Sequence, residues 1–62
     1  MARSQKELAI QFFNDVLQLE IVADILEELD DEECLDFARE KIDGYLGEAK
    51  LQEFETYILN GN

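Results

Sequence analysis

The chain has 62 residues, of which 16 are acidic, 5 basic and none histidine, for a formal net charge of −11. That balance excludes a cationic nucleic-acid binder, which needs a basic patch to neutralise phosphates. One cysteine without histidine excludes an internal disulfide framework and an ordinary zinc site, and an apolar content of 47% is too high for charge-driven disorder.

Helical signals begin at Ser4 and Glu7, which match the Ser-x-x-Glu capping box. From there Ala9, Phe12, Val16, Leu19, Ala23 and Leu26 recur at spacings of 3 and 4, a heptad-like seam that predicts one helix over about 5–29. The seam does not use every apolar residue. Ile10, Phe13, Leu17 and Ile21 flank it on one side in the first half, and Val22, Ile25 and Leu29 flank it on the other side in the second. So wide an apolar arc needs either several neighbours or a break near Gln18 to Glu20. Because no glycine or proline stands there, the expectation is a continuous helix.

Four acids in a row, Asp30, Asp31, Glu32 and Glu33, then interrupt the pattern. Aspartate is a strong N-cap, and carboxylates in a first turn suit the positive end of a helix dipole. Leu35, Ala38, Ile42, Tyr45 and Ala49 follow at helical spacing, predicting a second helix over about 32–46 with Asp36, Arg39, Glu40 and Asp43 on its wet face. Phe37 lies off the stripe and is a candidate contact residue. Leu51, Phe54 and Ile58 start a new phase past Gly47, a residue type suited to the left-handed turn that ends helices. A third helix is predicted over about 48–59, closed by Asn60-Gly61-Asn62. The expected fold is all-α: a single three-helix domain over 1–62, with a long N-terminal helix in an antiparallel hairpin with the second helix and a short C-terminal helix across them.

No catalytic or cofactor motif is present. Paired carboxylates can run acid–base chemistry, but only in a water-excluding pocket, and the usual general base, histidine, is missing. Cys34 would lack a base, and the dipole that would activate it is opposed by adjacent carboxylates, so it reads as a small buried hydrophobe. Enzyme activity is therefore not expected. Between Glu20 and Glu33, eight of fourteen residues are acidic. The run lacks the alternating ligands and central glycine of an EF-hand loop, which leaves a divalent-cation-responsive helical module as a minor alternative. Its plainer role is to cap the second helix and keep the chain dissolved. Its sharper role is to present carboxylates in place of phosphates to a basic nucleic-acid-binding protein.

Size points to self-association. A core of this length rarely yields more than about 3–5 kcal/mol, and with no disulfide or metal a second copy is the remaining support. Ile10, Phe13, Leu17 and Ile21 are the expected self-association face of a homodimer, because so wide an exposed stripe would be a liability on a monomer. Asp30, Asp31, Glu32, Glu33 and Phe37 are the expected face for another protein. The opening Met1-Ala2-Arg3-Ser4 has no signal-peptide core, no apolar run approaches the ~20 residues of a membrane span, and a cytoplasmic setting follows as the default. The whole reads as a small non-enzymatic regulatory or accessory protein, of a composition that phages and other mobile elements encode. Neither direct nucleic-acid nor membrane binding is expected.

Overall fold

Ser4 starts the chain's first helix as its residue type favours, with the Glu7 backbone N–H donating to Ser4 Oγ at 3.1 Å. In the computed structural model, which describes residues 4–60, helix α1 covers Gln5–Gln11 and runs directly into a π-helical turn, Phe12–Val16. Three further helices follow: α2 over Glu20–Glu27, α3 over Asp31–Tyr45 and α4 over Glu48–Asn60. All regular elements among the described residues are helical, in agreement with the all-α expectation. Helix α4 reaches Asn60, while Gly61 and Asn62, like Met1 to Arg3, lie outside the described residues.

The predicted continuous helix over 5–29 is in fact two helices. In the π turn the Leu17 N–H reaches five residues back to the Phe12 carbonyl at 3.1 Å, and Leu19 N–H reaches six back to Phe13 at 2.8 Å. This wide closure is made possible by Gln18, which takes φ 57. Left-handed backbone costs a non-glycine residue about 1–2 kcal/mol. The break lets α2 turn Ala23 and Leu26 into the core, and burying a leucine returns roughly 1.5–3 kcal/mol. Burial outweighs strain, so a helix can end here without glycine or proline. Val16 and Leu19, positions of the predicted seam, consequently fall at or beyond the helix end and are exposed.

The strain makes a test. Gln18→Gly should raise the unfolding free energy by about 0.5–1 kcal/mol, the relieved strain less the extra backbone entropy of glycine. Gln18→Val should lower it, since a β-branched residue tolerates positive φ poorly. Urea denaturation checks both, and a loss of stability in the glycine variant would show that the helix does not end in this way.

Helices α1 and α2 form a tight antiparallel pair. Lys6 Nζ donates to the Glu27 carbonyl at 2.9 Å, placing a cation on the negative end of α2. Helix α3 starts at Asp31, one residue before the expected start: Asp30 occupies the N-cap position without a capping bond from its side chain, its carbonyl accepts from Cys34 N–H at 2.7 Å, and Asp31, Glu32 and Glu33 fill the first turn. The α3–α4 connection is Gly47 at φ 95. Both Leu46 and Gly47 N–H donate to the Ile42 carbonyl, at 2.8 and 3.0 Å, and the Gly47 carbonyl accepts from Leu51 N–H at 3.1 Å to start α4.

The core gathers Leu8, Ala9, Phe12, Phe13, Ala23, Leu26, Cys34, Ala38, Ile42, Phe54 and Ile58. Its centre is aromatic. Phe12 meets Phe54 and Tyr57 edge-on, with ring centroids 5.2 and 5.1 Å away, and meets Phe13 at 6.4 Å. Offset and edge-to-face contacts are the favourable geometries for such rings. In α3 the stripe that enters the core is Cys34, Ala38 and Ile42; Leu35 is half-buried and Tyr45 points outward. Arg39 Nε joins α3 to α4 through Glu55 Oε1 at 2.8 Å, a half-exposed pair of the kind that contributes about 1 kcal/mol or less.

Candidate functional site

Where the helix break turns the chain, buried and exposed apolar side chains together form one open surface. Leu19 and Val22 from the start of α2, Ile42, Tyr45 and Leu46 from the end of α3, and the edge of Phe13 line an open groove of about 270 Å³. The surface continues along α2. Helical spacing puts Ile25 one turn from Val22, and both Ile25 and Ile21 are exposed, Ile21 at 79%. Tyr45, on the opposite wall, is 78% exposed.

Among the described residues the only charged one lining this groove is a cation, Lys41, in a chain where acids outnumber bases 16 to 5. Its Nζ lies over two rings, 5.2 Å from the Phe37 centroid and 5.4 Å from Tyr45, contacts typical of cation–π attraction. The other described cations are engaged elsewhere: Lys6 with the Glu27 carbonyl, Arg39 with Glu55 and Asp36, and Lys50 with Glu53 at 2.6 Å. Lys41 is the one cation among the described residues without a carboxylate or carbonyl partner.

The four residues expected to form one self-association face are divided by the fold. Phe13 is 1% exposed and contributes only to the lining of the groove. Ile10 and Leu17 are half-buried against the core, and only Ile21 stands free. The reason is the stripe Leu8–Phe12 and Ala9–Phe13, two pairs at i,i+4 that together make a two-residue-wide buried face. That pairing was the signal in the sequence. The groove itself had none, because Leu19 and Val22 meet Ile42, Tyr45 and Leu46 only after the break at Gln18.

Asp30, Asp31, Glu32 and Glu33 are all exposed at the N-terminal end of α3, about 18 Å from the groove by the rise of twelve helical residues. Phe37 is half-buried at the edge of the core, with Lys41 over its ring. Among the described residues no three carboxylate or thiol groups come together as a metal site needs. A second depression, of about 340 Å³, is polar and includes Glu7, Asp15 and Glu27. Cys34 is fully buried, and burial pushes its thiol up from the ordinary value, with Lys6 opposing and Asp31 adding to the shift. A protonated thiol in the core is a packing group rather than a nucleophile. No helix among the described residues is long and apolar enough to cross a membrane. No family model, curated protein or solved structure matches this chain.

Proposed function

We propose that this chain is a small non-enzymatic protein-binding module that self-associates as a homodimer through the apolar surface of α2 and the last turn of α3. The observation that carries this reading is the set of exposed apolar side chains around the groove: Leu19, Ile21, Ile25, Tyr45 and Leu46. Scattered exposed apolar residues are normal on small proteins, but a clustered patch rimmed by polar residues is characteristic of an interaction surface. The modest core of so short a chain adds to the argument, since burial against a second copy supplies stability that the monomer lacks.

The non-enzymatic part rests on the sequence, which has no histidine and no catalytic motif. The acidic run is accounted for by its position: Asp31, Glu32 and Glu33 occupy the first turn of α3, where negative charge offsets the helix dipole.

Sedimentation equilibrium tests the reading. The chain should show twice its own mass at high concentration. Tyr45→Gln, a change on a mostly exposed ring, should weaken the dimer about tenfold, the size of effect that interface tyrosines often carry. An unchanged dissociation constant in that variant would place the interface elsewhere.

A further inference from the structure

We infer that, in the homodimer proposed above, the groove of each copy takes Ile21 of the other copy, with Lys41 at the rim meeting the other copy's Asp24. This assignment rests on the self-association reading and adds the residue that fills the groove. Its first support is shape. The groove, at about 270 Å³ and lined almost wholly by apolar side chains, has room for an inserted aliphatic side chain. Ile21 is an aliphatic side chain held out on a helix, 79% exposed.

Charge supplies the second support. Two copies at −11 each repel, so any close approach favours the place where a carboxylate can meet a cation. Lys41 is that cation, without a carboxylate partner of its own. Beside Ile21 on α2, Glu20 and Ile25 are exposed, and the carboxylate of Asp24 stands one turn further along. An isoleucine followed one turn on by an aspartate is the complement of an apolar groove with a lysine at its edge.

Position decides between candidate side chains. Leu59 is as exposed as Ile21, at 82%, but it lies twelve residues beyond the Gly47 turn. On a helix running back along α3, that is about 18 Å from the groove end. A two-fold pair exchanging Leu59 also closes, but its two contacts lie apart from the exposed apolar residues of α2 beside the groove. Ile21 adjoins Val22 of the groove, so the two reciprocal insertions lie side by side around one two-fold axis.

The test is sedimentation equilibrium on the full chain with four variants. Ile21→Asp should weaken the dimer at least about tenfold and leave the circular dichroism of the monomer unchanged, because the site is exposed and an acid suits the first turn of α2. Lys41→Glu should weaken it several-fold, and adding Asp24→Lys should restore most of the loss. Leu59→Asp should leave it as it is. A wild-type dimer indifferent to Ile21→Asp, with no recovery in the charge swap, would overturn the Ile21 assignment and leave self-association standing. A wild-type chain that stays monomeric at high concentration would overturn both.

Discussion

Phe12→Ala is expected to leave the chain largely unfolded at room temperature. Phe12 is wholly buried, and its ring is the one that meets Phe13, Phe54 and Tyr57 together. It joins the π turn to α4. Truncating a buried phenylalanine costs about 3–5 kcal/mol, through lost transfer energy and the cavity left behind. A domain of this size holds roughly the same amount in total, so one ring can account for the whole margin. Far-UV circular dichroism should show most of the helical signal gone and no cooperative melt. A variant with full helicity and a sharp transition would mean that the aromatic centre is not what holds the helices together. Ile21→Asp, on the exposed side of α2, provides the contrast and should melt as the wild type does under monomeric conditions.

The second large effect is expected at Gly47. Two glycines in the α3–α4 region have nothing within 4 Å of where a Cβ would stand, so alanine fits sterically at either. They differ in backbone alone. Gly47 has φ 95, where a side chain is strained by about 1–2 kcal/mol, whereas Gly44 lies within α3. Gly47→Ala should therefore destabilise the fold by about 1–2 kcal/mol. Gly44→Ala should stabilise it by about 0.5–1 kcal/mol, the ordinary helix-interior preference for alanine. Urea midpoints at constant slope measure both. Equal effects at the two positions would show that the Leu46–Gly47 turn does not have the geometry described.

The same comparison explains what could be read from the residues alone. Gly47, Ser4 and Asp30 each carry a local physical preference that marks a helix end, and the structure has ends at all three. Gln18 carries none. Glutamine is a good helix former, and the closure around it is imposed by the burial of Phe12 and Phe13 on one side and of Ala23 and Leu26 on the other. The break did leave a trace, in the apolar arc that was too wide for one helix and shifted sides near Gln18. The absence of glycine and proline favours continuity only through local propensity, and burial exceeds it here. The groove depends on that break and on the antiparallel return of α3, so no spacing along the chain could disclose it. Lys41 was legible only as one cation among surface acids, and became specific once its ring contacts and its place at the groove edge were known.

Placing the apolar surface at the interface has one consequence that separates it from every charge-driven alternative. Two copies carrying −11 each repel across water, and salt screens that repulsion, shortening the Debye length from about 14 Å at about 50 mM to about 4 Å at about 500 mM. Apolar burial is not screened in this way. The direct measurement is therefore the dimer dissociation constant by sedimentation equilibrium across sodium chloride concentration. The dimer should tighten as salt rises, with the Lys41–Asp24 pair weakening slightly against that trend. A chain that remains monomeric throughout, or a dimer that dissociates as salt is added, would contradict self-association through the apolar surface of α2 and α3.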